Sequence, residues 1–212
     1  MAEGLRERKK RQTRQQISDI ATGLFIERGF DAVTIAEIAD TANVSVNTVY
    51  NYFPAKEDLF LDRLEGMRER LSRWVRGRDV GESAAAAVLR ELRAELEAVS
   101  PRMGLMPGIE RFMAVVDAAP SLRLRLLGMR YEVIDRLEAT LREETGAADD
   151  DLLPRLMADQ INWLNETAVE FVRRRVSAGG AVEKVSRETL SVLDEVERLL
   201  SAEVLNYAVR DA

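Results

Sequence analysis

Between Thr34 and Pro54 the chain carries two helix starts, a residue that tolerates a tight turn between them, and a proline that ends the second helix. Thr34 and Glu37 have the T-x-x-E spacing of a capping box, in which each side chain satisfies a backbone amide of the other residue. Ile35, Ile38 and Ala39 then face inward. Ser45 is a good N-cap, and Val44 and Val49 stand at the spacing of a hydrophobic staple. Asn43, between the two helices, accepts the left-handed conformation that a tight turn needs. Pro54 drives the residue before it out of α geometry, so the second of these helices is only about two turns long. Helix, tight turn, helix is the predicted geometry of residues 34–53, and it is the geometry of a DNA reader.

The rest of the chain predicts helices and no strand. Ile17, Ile20, Ala21, Leu24 and Phe25 make one apolar stripe of a first helix over about Thr13–Arg28, with Thr13 and Gln16 as its capping box and Gly29 as its stop. A long fourth helix is expected from Lys56, with Leu59, Phe60, Leu64, Met67, Leu71 and Trp74 on one side, as far as the break at Gly77–Gly81. Further helices are expected over about 83–99, 109–116 and Pro120 to near Gly146. One more, capped by Asp150 or Asp151, runs to about Ser177, and the last covers about 182–207. Gly (12) and Pro (5) are scarce, in keeping with an all-α fold.

Composition removes most chemistry. The chain has no cysteine and no histidine, which excludes disulfides, thiolate nucleophiles, serine–histidine triads and histidine metal sites. No cofactor or metal is expected. No stretch approaches the ~20 apolar residues of a membrane span, and no signal sequence is seen, so a soluble, cytoplasmic protein without membrane contact is expected.

The net charge of −6 argues against a polyanion partner until its distribution is read. Residues 5–16 hold Arg6, Arg8, Lys9, Lys10, Arg11 and Arg14 against Glu7 alone, on an otherwise acidic chain. Such an arm either faces a polyanion or is a solubilising tail. Residues 41–55 carry no charge at all, where a chain that is 32% charged would place about five. An acid on a face that enters a DNA groove would be repelled by phosphates, whereas small polar residues reach base edges without that penalty. Val46, Asn47, Thr48, Asn51 and Tyr52 are the candidates for the groove, with Asn suited to adenine and Val to a thymine methyl. Tyr50, Tyr52, Lys56 and Thr34 at its helix start are the candidates for phosphate. Phe53 is assigned to the core.

The run TIAEIADTANVSVNTVYNYFPAKEDLF, residues 34–60, resembles the DNA-binding signature of TetR-type transcriptional regulators, and the resemblance extends over residues 13–61. It implies an N-terminal three-helix helix-turn-helix domain with a basic arm, residues 1–60, joined through the long fourth helix to a larger helical ligand-binding and dimerisation domain, residues 61–212. It implies that Thr34 contacts phosphate, that Ser45 to Tyr52 lie in the major groove, that Tyr50 and Tyr52 touch the backbone, and that Lys56 anchors a phosphate. Asn43 stands where Gly is usual and Asn51 where an aromatic is common. Ala55 stands where a capping Ser or Asn is common, a loss of about 1 kcal/mol locally.

The resemblance further implies a homodimer through the last two helices, which bind operator DNA as a pair, and a small-molecule ligand among the middle helices. Such a ligand, apolar or amphipathic, would tilt the fourth helix. Met67, Trp74, Met103, Met106, Phe112, Met113, Tyr131, Trp163 and Phe171 are the candidates to line its pocket, since Met and aromatic side chains suit an adaptable apolar cavity. Arg111, Asn162, Glu166 and Glu170 are candidate polar contacts. The function expected is that of a ligand-released repressor. Alternatives are a ligand-independent regulator or activator of the same fold, and a helical carboxylate enzyme. The enzyme would need Asp-rich motifs on facing helices, and the only Asp run, 149–151, sits at a helix start.

Overall fold

The computed structural model describes residues 4–211, and among them every regular element is helical. Two compact units form. The first comprises the described residues up to Glu65 together with Arg111–Leu127; the second comprises Gly66–Glu110 and Gly128 onward. The sequence predicts a first domain over residues 1–60; the first unit also takes in Arg111–Leu127.

In the first unit, α1 spans Leu5–Arg28 and buries Ile17, Ala21 and Phe25. Its end at Gly29 is as expected, with φ +87°. Its start is not. Thr13 lies inside the helix, because residues 5–12 are mostly Arg, Lys, Gln and Leu, straight-chain residues that continue a helix at little cost. The basic arm is therefore helical from Leu5; Met1–Glu3 lie outside the described residues. Phe30, just past the stop, packs on Phe25 with ring centroids 4.9 Å apart, and Phe60 meets Phe25 edge-on at 5.7 Å.

α2 (Ile35–Thr41) and α3 (Val46–Tyr52) follow, then α4 over Lys56–Leu61. The expected long fourth helix is not continuous. Residues Asp62–Met67 form a tighter 3₁₀ stretch, and α5 covers only Arg70–Arg76. Gly66 weakens helix propagation there by about 1 kcal/mol. Asp62 and Arg63, meanwhile, are held by salt bridges to Arg14 and Asp19 of α1. Tertiary contacts thus override an unbroken apolar stripe. α7 (Ile109–Ala118) and the first turns of α8 (Pro120–Thr145) complete the unit, with Phe112 stacked on Phe60 at 4.2 Å and Arg125 paired to Asp58 at 3.1 Å.

The second unit packs α6 (Ala84–Glu97) against α9 (Leu153–Ser177) and α10 (Val182–Leu199). Val88, Leu92, Leu96, Leu137, Ile161, Leu164, Ala168, Val172 and Leu193 form its core. Ser83 caps α6 and also donates to the Leu205 carbonyl at 2.6 Å. Asp151 supplies the expected cap before α9, accepting the Leu153 amide at 2.8 Å. The last helix ends earlier than its pattern. Leu200 is extended, and Ser201 starts a separate turn, α11 (Ala202–Leu205). A serine that caps offers the backbone an alternative to continuing the helix.

Candidate nucleic-acid interface

Local chemistry sets the helix-turn-helix. Glu37 accepts the Thr34 amide at 2.8 Å, and Thr34 Oγ1 accepts the Glu37 amide at 3.2 Å, so both halves of the box are made. Arg28 adds a salt bridge to Glu37 at 2.8 Å. The Thr34 backbone bond, then Arg28 and the Thr34 hydroxyl, hold the Glu37 carboxyl at about 2, well below the usual range. Ala42 ends α2, and Asn43 takes the left-handed turn at φ +54°. Ser45 caps α3 by accepting the Thr48 amide at 3.0 Å, with its hydroxyl 2.8 Å from that of Thr48. At α4 only half of a box exists: Asp58 accepts the Ala55 amide at 3.2 Å, while Ala55 has no acceptor to return.

The caps set how α3 faces. Val49 and, just beyond the helix, Phe53 are buried and fasten it to the unit. Val46, Asn47, Tyr50 and Asn51, spaced one and four apart, form an exposed outward face that begins at exposed Ser45. Thr48 and Tyr52 are half-buried at its margin. This face carries no charge; Val46, Asn47 and Asn51 on it are groove candidates of the sequence, Tyr50 was a candidate for phosphate, and the groove candidates Thr48 and Tyr52 lie at its margin.

Three residues have second engagements that the sequence did not reveal. The Thr34 hydroxyl donates to Glu37 at 2.9 Å, so it is committed to the box. Lys56 donates to the Phe30 carbonyl at 2.6 Å and lies over the Phe30 and Phe25 rings, at 4.5 and 5.6 Å. Two of its three ammonium protons remain for another acceptor. Arg14, read from sequence as part of the arm, is a brace: it donates to Asp62 at 2.8 Å and to the Tyr52 carbonyl at 3.1 Å, with its guanidinium 4.7 Å above the Phe53 ring. The signal was present, since Arg14 precedes Ile17 and Ala21 by three and seven residues and so shares their buried stripe. Arg6, Arg8, Lys9 and Lys10 remain exposed on the first turns of α1.

The nine pocket candidates are divided between the two units. Phe112 and Met113 belong to the first unit, where Phe112 is taken up by its stack on Phe60. Tyr131 and Trp163 are exposed, 54% and 40%. Met67, Met106 and Phe171 are half-buried. Only Trp74 and Met103 are buried in the second unit, and both touch Arg70, which the sequence reading passed over. Among the polar candidates, Asn162 is buried and Glu166 is raised by burial, while Glu170 is held at about 2 by Arg173 and then Arg174. Arg111 is exposed in the first unit. A surface groove lined by Asp135, Glu138, Arg142, Glu143 and Asp149 includes none of the candidates.

Two short capped helices, joined by a left-handed residue and presenting a neutral polar face, define a DNA-binding protein of the helix-turn-helix class. Residues 17–62 match the family described as bacterial regulatory proteins, tetR family. The chain is 30% identical over 160 residues to the HTH-type transcriptional regulator TcmR of Streptomyces glaucescens, covering 73% of this chain and 70% of that one. It belongs to the TetR family of DNA-binding transcriptional regulators. Two solved structures have the same fold. NalD, the secondary repressor of the MexAB-OprM multidrug efflux pump in Pseudomonas aeruginosa, is 20% identical, with a TM-score of 0.55 and coverage of 88% of this chain and 97% of that one. The SmeT–triclosan complex is 15% identical, with a TM-score of 0.55 and coverage of 91% and 94%. No helix among the described residues is long and apolar enough to cross a membrane.

Proposed function

We propose that the chain is a dimeric, cytoplasmic repressor that reads a palindromic operator with the outward face of α3 and is released by a small molecule bound in its second unit. The observation that carries this reading is the neutral face of Val46, Asn47, Tyr50 and Asn51 on a helix fastened from behind by Val49 and Phe53. In this reading Asn47, Asn51 and Val46 meet base edges, with Ser45 and Thr48 at the leading end. Tyr50, Tyr52, Lys56, the start of α2 at Thr34 and the exposed cations of α1 meet phosphates. Lys56 does so with the protons that Phe30 leaves free.

A second copy is supported by the surface of the second unit. Leu153, Leu156 and Trp163 lie exposed on α9 at three- and seven-residue spacing, and Leu199 is 74% exposed at the end of α10. Apolar helix faces of this kind are covered in a symmetric pair, and two reading heads match two half-sites about 34–36 Å apart. Ligand control is supported by the likeness to SmeT, whose structure holds triclosan. Release requires that the ligand prefer the state that does not bind DNA; a 100-fold release needs about 2.7 kcal/mol of coupling. The test is binding-site selection from random duplexes, followed by titration of the selected duplex. The expected result is one palindromic or near-palindromic site. Recovery of no preferred sequence would refute the reading.

A further inference from the structure

Two arginines are buried in the second unit, and they are satisfied very differently. Arg78 has a carboxylate: it pairs with Glu144 at 2.7 Å and donates to the carbonyls of Val75 and Ala208 at 2.7 and 3.0 Å. Arg70, 3% exposed, has none among the described residues. Its hydrogen bonds go to the Asn165 amide oxygen, to the Arg102 carbonyl at a long 3.4 Å and to the Met103 thioether at 3.6 Å. Its guanidinium lies 4.9 Å from the Trp74 ring centroid. Two carboxylates act on it from a distance, and each has an arginine of its own: Glu95 with Arg102 at 3.2 Å, Glu166 with Arg130 at 3.6 Å. Among the described residues, then, no carboxylate pairs directly with Arg70. Burial pulls its pKa down to about 10, with the neighbouring Arg73 and Arg102 adding repulsion.

A guanidinium out of water without a counter-ion is costly, and an apolar side chain of the same volume would fit such a core better. Thioether and long carbonyl bonds are weak partners that a stronger acceptor displaces readily. One turn before Asn165 on α9, Asn162 is 1% exposed, and its side-chain oxygen is buried with no hydrogen-bond partner. An orphaned acceptor therefore lies one turn along α9 from the residue that holds the fork, and the fork itself lies beside Trp74 and Met103.

We propose that this cluster is the head-group site for an amphipathic organic acid, with the carboxylate on Arg70, a hydroxyl or N–H of the same molecule on Asn162, and the apolar body along Trp74 and Met103. The acid takes the guanidinium edge now shared by Asn165 and Met103, which gives a bidentate, charge-assisted pair. This rests on the reading that the second unit holds the effector, and it narrows that effector from any apolar molecule to an anion.

The test is calorimetric titration of the full-length chain with matched probes of two body shapes: decanoate, decanol and decylammonium, and naphthylacetate with naphthylethanol. Each acid should bind about tenfold or more tightly than its own alcohol, and the ammonium probe least. Arg70→Met should abolish the preference for acid over alcohol while the melting temperature holds or rises. Arg70→Lys keeps the charge but not the fork; it should lower acid affinity several-fold with alcohol affinity unchanged, and it carries the test should Arg70→Met fail to fold. Equal affinity for acid and alcohol, a preference that survives Arg70→Met, or no acid binding at millimolar concentration would overturn the proposal. Operator release separates the two readings. Release by the alcohols alone would sink the acid site and leave ligand control standing. Acid binding that leaves operator affinity unchanged would keep the site and sink ligand control.

Discussion

The helix-turn-helix segment and the second unit distribute polarity in opposite senses. Over residues 34–53 the buried side chains are apolar, Val49 and Phe53 among them, and the polar ones face out or serve as caps. In the second unit Arg70, Arg78, Asn162, Asn165, Thr140 and Thr189 are buried, while Leu152, Leu153, Leu156, Trp163 and Leu199 are exposed. The first arrangement suits a surface that meets water and then DNA. The second is expensive for an isolated chain, because buried charge and exposed leucine both cost free energy. In the function proposed, that inversion falls where the second unit would meet a second copy and a ligand.

The largest effect is expected at the exposed apolar face of the second unit. Leu156→Glu or Trp163→Glu should give monomers by sedimentation and lower operator affinity by more than about 100-fold, since each half-site is then held alone. A dimer that persists in both variants would mean that these side chains are merely exposed. Next in size is Arg78→Met, which leaves Glu144 and the Ala208 carbonyl without the guanidinium that serves them and should cost about 3 kcal/mol in urea unfolding. Against the neutral or stabilising Arg70→Met, this variant asks whether the two buried arginines differ as their partners do.

Smaller effects belong to the helix-turn-helix. Asn47→Ala should relax base preference at one position of each half-site, at a cost of about 1–3 kcal/mol, and leave stability unchanged because the residue is exposed. Retention of the parental preference in a selection experiment would move base reading elsewhere on α3. Lys56→Met should flatten the salt dependence of operator affinity by about one unit of slope, with a stability loss of about 1 kcal/mol from the lost Phe30 bond. A stability loss without a change of slope would make Lys56 a clamp only.

The smallest effect is on pH, and it has opposite signs in the two regions. Glu37 is held at about 2 in the folded chain against an ordinary 4.5, so its stabilising contribution is present above about 4.5 and is lost as pH falls towards 2. Glu166 is raised by burial, so its ionisation opposes folding at neutral pH, and that opposition is relieved as pH falls through its folded-state pKa. Unfolding of Glu37→Gln and Glu166→Gln across this range should show the two slopes diverging. Parallel slopes would mean that neither carboxyl differs between its folded and unfolded environments.

What was legible in the sequence was whatever is encoded within four or five residues. The Thr34–Glu37 box, the Ser45 cap, the left-handed Asn43, the stop before Pro54 and the outward face of α3 all follow from local spacing, because each depends on a side chain reaching its own helix end. Gly29, free to take φ +87°, and Asp151, which caps α9, are likewise settled next to a helix end. Tertiary structure decided what local chemistry left balanced. It broke the fourth helix at residues 62–67, where Gly66 weakens the ladder and Arg14 and Asp19 hold the chain from across the unit. It turned Arg14 from an arm residue into a brace, and stacked Phe112 on Phe60. It brought Arg70 beside Asn165, ninety-five residues away in sequence, and gave it no carboxylate partner among the described residues. A helix end is settled by its neighbours along the chain, whereas a buried charge is settled by whichever side chains packing delivers to it.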